Sequence, residues 1–331
     1  MRIRPRSTPA EAAEASAAPA RPRRAVAALA VAGGLAAAVL GAPVAASAAL
    51  AGQGATGASV VVAAADPASA PAHWTAERRR AALATDPVSP AAASSSSSAS
   101  DPVLRTQATG DAPAAAPVAH PDQPFVGVLY YVADGRDRAC TASVVDTPDG
   151  DAVATAAHCL VDRRTGAPVA SAVFVPGAQG AAAPHGLWPV RVSAVSPAWT
   201  TTGRAADDAG FARVSGPAGE VLAASVGAAE PVFGSALVPA TGPAPRLAIL
   251  GYPAAGSAAA TLEACAGRPQ HAAGGQIAIP CTLGTGAAGS PVLTAAGEQR
   301  SVVARPSAGH GVLLATWGAE ARRALASLHG R

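Results

Sequence analysis

From Phe125 onward the apolar positions come in short runs: FVGVLYYV, TASVVDT, DAVATAA, SAVFVPG, WPVRVSAV, GFARV, PVFGSALV, RLAILGY, QIAIP, SPVLTA, SVVARP and GVLLATW. Each run is rich in Val, Leu, Ile or aromatic residues and is bounded by Gly, Pro or Asp, the residues that make turns. So many short strands at this spacing predict an all-β body, a barrel or a sandwich. Its roughly 200 residues suit two small antiparallel barrels. One late stretch, AEARRALASL at Ala319 to Leu328, has helical texture and predicts a short C-terminal helix.

The part before Phe125 has no such pattern. Arg21, Arg23 and Arg24 precede the run AVAALAVAGGLAAAVLGAPVAASA, which ends in Ala46, Ser47 and Ala48, a small-residue end suited to signal peptidase. Residues 1–48 therefore read as a signal peptide and the protein as secreted. The alternative is a retained membrane anchor if the leader stays uncleaved, but Gly33, Gly34, Gly41 and Pro43 interrupt the run. No stable membrane span is expected after cleavage. Residues 49–123 are Ala, Ser, Pro and Gly with a serine run at Ser94 to Ser98, a composition that buries too little apolar surface to offset its ordering entropy. They read as a mostly disordered pro-region or tether. Within them WTAERRRAALATDPV, Trp74 to Val88, predicts a short helix with Thr75 as N-cap, Glu77 in the first turn and Pro87 closing it. Residues 124–331 form the folded domain.

Charge excludes one class of partner. The formal net charge is +3, yet six of the 24 basic residues and only two of the 21 acidic ones fall in the first 48, which leaves the remainder at −1. The basic excess belongs to the leader, so no nucleic-acid footprint is expected. The four cysteines, Cys140, Cys159, Cys265 and Cys281, all lie in the β-rich body, where export makes disulfides the default. Three connectivities are open. Sequential pairing would close two short loops, each contributing about 3 kcal/mol in the chain-entropy model. Zinc is the rival, and no two cysteines have the close spacing of a structural zinc site. No metal or cofactor is expected, and GTGAAG lacks the lysine and helix of a phosphate loop.

Three stretches carry candidate chemistry: TAAHC at Thr155 to Cys159, DDAGF at Asp207 to Phe211, and CTLGTGAAGSPVL at Cys281 to Leu293. A serine hydroxyl is a poor nucleophile until an imidazole takes its proton, and the imidazole needs a buried carboxylate to fix its tautomer and steady its charge. A glycine-rich turn entering a strand is the arrangement that presents such a nucleophile among backbone N–H groups. With CTASVV at Cys140 to Val145 and ILGYPA at Ile249 to Ala254, these stretches resemble, in order and spacing, the secreted trypsin-like serine peptidases of actinobacteria. The resemblance covers Phe125 to the C-terminus, and TAAHC beside a second cysteine is its most specific element.

The resemblance implies a chymotrypsin fold of two six-stranded antiparallel barrels, a peptide or protein bound between them, and a monomer. It implies His158 as the base and Asp208 as the orienting carboxylate, with Asp207 the alternative. It places the nucleophile three residues before Pro291, where the chain has Ala288. The backbone N–H groups of Gly286 and Ala288 would form the oxyanion hole, which needs no side chain. Ser290, two residues on, is expected to point into the barrel packing and away from His158. Thr282, at the position of the specificity-pocket base, has no charge, which disfavours basic substrate side chains and leaves small or uncharged ones, or acidic ones if His310 reaches the pocket. Losing a triad serine costs on the order of 10⁶ in turnover. The expectation is a pseudoprotease that binds peptide or protein; the alternative is an active serine endopeptidase that hydrolyses peptide bonds with some other nucleophile.

Overall fold

The computed structural model describes residues 58–84, 114–121, 123–253, 261–307 and 311–329. The leader through Ala48, the Ser94 to Ser98 run, Pro87, Ala254 and His310 lie outside them. In chain order the elements begin with β1 (Val60–Ala63), α1 (Ala70–His73), α2 (Ala76–Ala84) and β2 (Val118–Ala119). There follow β3 (Val126–Ala133), β4 (Arg136–Val144), β5 (Ala152–Ala156), β6 (Ala170–Pro176), β7 (Trp188–Val195), α3 (Pro197–Thr202), β8 (Ala209–Val214) and α4 (Leu222–Val226). The remainder is β9 (Leu247–Gly251), β10 (Glu263–Gly267), β11 (Gln270–Ala272), β12 (Gln276–Ile279), β13 (Pro291–Leu293), β14 (Gln299–Ser307), β15 (Gly311–Leu314) and α5 (Ala319–Ala326).

Strands β7, β6, β3, β4, β5 and β8 are hydrogen-bonded in that order, and β8 pairs back onto β7, which closes a six-stranded antiparallel barrel. β3 shows why its sequence is apolar without alternation. Leu129 and Tyr131 face the barrel interior with Phe174, Trp188 and Val214, whereas Val126, Val128 and Tyr130 face outward into a second apolar cluster. A strand covered on both faces reads as a continuous hydrophobic run. β6 does the same, with Phe174 inside and Val173 and Val175 outside.

What covers that outer face was not expected. Residues 58–84, assigned by composition to a tether, are structured: Trp74 and Leu83 lie in the outer cluster with Tyr130 and Val175, and Trp74 is 1% exposed. Its indole N–H donates to the Ser171 carbonyl at 2.5 Å, and its ring stands 5.2 Å from that of Tyr130. The Arg79 guanidinium donates to the carbonyls of Trp74 and Ala181. β1 pairs antiparallel with β7, from Val60 against Val195 to Ala63 against Val192, along the half of β7 that β6 leaves free. A few bulky residues among many alanines suffice, because the barrel's exposed apolar face supplies the rest of the contact. The expected helix is α2, and Thr75 caps it by accepting the Arg78 N–H.

The second half is a curled eight-stranded sheet in the order β11-β12-β15-β14-β13-β9-β10-β2. Where a second closed six-stranded barrel is expected, no strand pairing among the described residues joins the two ends. Two features take its place: β2 covers the outer edge of β10, and a disulfide from Cys265 in β10 to Cys281 just beyond β12 ties the ends together. The other disulfide is Cys140–Cys159, so the pairing is sequential. PVFGSALV, expected as a strand, is an irregular loop with a single bridge from Pro231 to Gln299. It turns at Gly234, φ 78°, and packs Phe233 on Trp317 at 5.2 Å. α5 is the expected terminal helix, and Trp317 with Ala321, Ala324 and Leu325 docks it on the first barrel beside Phe211.

Candidate active site

Register in the first barrel brings the first two candidates together. β5 and β8 pair antiparallel with Ala156 opposite Ala209, and the Ala157 N–H donates to the Asp208 carbonyl at 3.2 Å. A single turn of 3₁₀ helix after β5, Ala157–Cys159, then lifts His158 over Asp208. One carboxylate oxygen of Asp208 accepts the His158 backbone N–H at 3.0 Å, and the other lies 2.7 Å from His158 Nδ1. A carboxylate only accepts, so Nδ1 carries the proton and Nε2 is left with its lone pair. Asp208 is 6% exposed, a buried charge held by two donors. Asp207 is elsewhere: the Thr202 hydroxyl donates to it at 2.9 Å.

The His158 side chain keeps 26% of its surface exposed. Burial pulls its pKa down, and the charge and hydrogen bond of Asp208 more than reverse this, so the imidazole stands above its ordinary 6.5; Arg305 opposes the rise. The disulfide from Cys140 to Cys159 pins the His158 turn to β4. Cys140, His158 and Cys159 form a cluster of metal-ligand type, but the two sulfurs are bonded to each other, which removes the thiolates that zinc takes.

The second sheet supplies the other wall. In the turn before β13, Gly286 and Gly289 have φ of 88° and 83°, a region costly for other residues. At Gly289 space is lacking as well, since a Cβ there would run into the Thr141 carbonyl and the Thr155 hydroxyl. The Ala288 carbonyl accepts the Thr141 N–H at 2.8 Å, and the Gly289 N–H donates to Val303 at 2.7 Å. Thr141 also donates its hydroxyl to the Gly286 carbonyl, accepts the Tyr252 N–H, and accepts the Thr155 hydroxyl at its carbonyl. One residue of β4 thus joins the first barrel to this turn at two points and to Tyr252 at a third. No sequence signal marks it.

Ala288 is 3% exposed and lies in the apolar cluster that holds Ala156, Ala157 and both sulfurs of the first disulfide. Among the described residues, backbone hydrogen bonds use the N–H groups of Ala287, Gly289 and Ser290, and none uses those of Gly286 and Ala288. Ser290 is fully buried, and its hydroxyl lies against Gly251 without a hydrogen-bond partner, His158 included. Thr282 is exposed, and its N–H and hydroxyl both donate to the Ala115 carbonyl of the segment that carries β2. The structure therefore brings His158 and Asp208 into contact and packs Ala288 in the apolar cluster that holds Ala157 and Cys159, the neighbours of His158, while Thr282 bonds Ala115 and Ser290 is not bonded to His158.

No protein-family model matches the chain, and no curated protein is similar to it by sequence. Solved structures are. The protease Anisep from Arthrobacter nicotinovorans is 24% identical over 63% of this chain and 97% of its own, with a TM-score of 0.58. The thermostable serine protease AL20 from an extremophilic microorganism is 23% identical over 63% of this chain and 99% of its own, TM-score 0.58. A Glu endopeptidase is 14% identical over 63% of this chain and 92% of its own, TM-score 0.52. At these identities the likeness concerns architecture, and in architecture this chain has the trypsin/chymotrypsin fold of serine proteases.

Proposed function

We propose that this protein is an exported, peptidase-like binding protein: it holds a peptide or an extended protein segment beside His158 and hydrolyses it poorly because Ala288 offers a methyl group where a nucleophile is needed. The observation that carries the reading is the pairing of a bonded His158–Asp208 couple with a glycine turn that leaves the Gly286 and Ala288 N–H groups undonated. On this reading His158 is the base and the undonated N–H groups of Gly286 and Ala288 are the anion-stabilising donors, and no described hydroxyl is hydrogen-bonded to His158. β14 supports the peptide part. Among the described residues, Arg305 to Ser307 pair with β15 alone, since β13 ends against Val302 and the turn against Val303. A free strand edge is a template for an extended peptide. Two disulfides suit an oxidising compartment, and no described helix is long and apolar enough to cross a membrane.

The second reading, an active serine endopeptidase, is favoured by the His158–Asp208 geometry and needs a hydroxyl from outside the assigned position. Cleavage of a mixed protein substrate by the parent and by Ala288→Ser separates the two. The binding reading expects an inert parent and a variant at least about 10³-fold faster, from one restored oxygen atom. Equal cleavage by both would overturn the assignment of Ala288. Inactivity in both would remove the site from the function altogether.

A further inference from the structure

Arg305 is the charged side chain on β14 that the chemistry above leaves unused. It sits two residues beyond Val303, whose carbonyl accepts the Gly289 N–H at 2.7 Å and whose N–H donates to the Ser290 carbonyl at 2.9 Å. The strand therefore leaves the Ala288 turn and arrives at Arg305 directly, on the stretch whose outer edge no described strand pairs. Between Val303 and Arg305 the register with β15 shifts, Val303 opposing Leu314 and Arg305 opposing Leu313, an irregularity that re-aims the side chains around it. The guanidinium's charge is felt at His158, where it opposes the pull of Asp208.

Its surroundings set it apart from Arg79, which is buried, and from Arg213 and Arg300, which are half-buried as it is. Arg79 is saturated by the carbonyls of Trp74 and Ala181, Arg213 grips Asp151 at 2.8 Å, and Arg300 meets Glu298 at 3.0 Å. Arg305 is half-buried as well, yet among the described residues it makes neither a hydrogen bond nor an ion pair. The nearest carboxylate of the site, Asp208, is already committed through both oxygens to His158. A partly desolvated guanidinium without an anion is costly, and its planar fork suits a carboxylate with two parallel hydrogen bonds.

Resting on the reading that a peptide lies along β14, we propose that Arg305 selects for an acidic side chain in that peptide, so that the bound partner is an extended segment carrying Asp or Glu near the residue beside His158. The Asp208 carboxylate is turned to His158, with both of its oxygens accepting N–H groups of that residue. Selectivity is set by the second wall of the site, independently of Thr282, which faces Ala115.

The test uses the full chain and a set of fluorescein-labelled, acetylated alanine-based octapeptides, each with a single Glu at a different position, matched to the same set with Gln. Binding is followed by anisotropy at low and at physiological salt. The parent is expected to prefer one or two of the Glu peptides over their Gln partners by about tenfold or more, with a preference that shrinks as salt rises. In Arg305→Gln the preference should vanish, and in Arg305→Lys part of it should remain. A parent that binds Glu and Gln peptides equally overturns the role of Arg305 and leaves the peptide-binding reading standing, and so does a preference that survives in Arg305→Gln. A parent that binds no peptide of either set overturns both. The parent's own Glu-against-Gln comparison needs no variant to fold.

Discussion

His158 and Asp208 stand on the closed barrel, and Gly286, Ala288 and Arg305 stand on the curled sheet; the two groups supply different things. On the barrel side the chemistry is in the side chains, a buried carboxylate on a histidine, and register positions it: Ala156 opposite Ala209 decides that the two meet. On the sheet side the chemistry is in the backbone, two N–H groups left undonated by a turn that only glycines at 286 and 289 can make. Side-chain chemistry can be lost by one substitution without disturbing the fold, which is the loss the proposed function assigns to Ala288, a residue packed among apolar neighbours. Backbone chemistry cannot be lost so cheaply, because the turn that makes it also joins the two halves through Thr141.

The comparison breaks most visibly on Asp208. In the Ala288→Ser background, Asp208→Asn keeps the shape of the site but no longer demands the proton on Nδ1 or steadies the imidazolium, and turnover should fall by about 10⁴. Single-turnover cleavage of a peptide ester reads this directly. A fall of less than about tenfold would mean that His158 is not the base, and the barrel side would then be as inert as the sheet side.

Next in size is an effect on the barrel alone. Trp74→Ala removes a ring that is almost fully buried against Tyr130 and leaves the Ser171 carbonyl without its donor. The expected cost is about 3–5 kcal/mol of unfolding free energy, measured by urea denaturation of the full chain. Trp74 bonds Ser171 and packs near Tyr130, neither of which is a residue of the site, so peptide binding by the folded variant should match the parent. A cost under about 1 kcal/mol would show that residues 58–84 are an appendage to the barrel and no part of its core.

These residues also show where the sequence is legible. FVGVLYYV announces a strand, and the Cys281 to Leu293 glycines announce a constrained turn, because in each case the local pattern and the tertiary need agree. The elements along 58–84 are half visible: Thr75 and Glu77 mark α2, but the averaged composition of 49–123 hides the strand at 60–63 and the burial of Trp74, which depends on a barrel face formed far away in sequence. PVFGSALV failed for the opposite reason, an apolar run whose bulky residues serve a loop packed on Trp317. Thr141 and Arg305 were invisible. Their roles depend on which partner lies across a sheet and on a register shift, and neither leaves a trace in neighbouring residues.

The smallest effect sharpens the comparison, because it isolates the barrel side from catalysis. His158 has a native pKa above its ordinary 6.5, with Asp208 overcoming burial, so the folded state binds the imidazole proton more tightly than the unfolded chain does. That stabilisation is complete below about pH 6.5, fades as pH rises through the raised native value and is gone above it. In Asp208→Asn the carboxylate no longer opposes the pull of burial and of Arg305, the native pKa drops, and protonation now favours the unfolded chain. The gap in unfolding free energy between parent and variant should therefore be widest near pH 5.5 and narrow steadily toward pH 9, while the resonance of the His158 ring titrates at higher pH in the parent. A gap that is flat across this window would mean that His158 and Asp208 are a geometric pair without electrostatic coupling. The one active wall of the site would then be backbone.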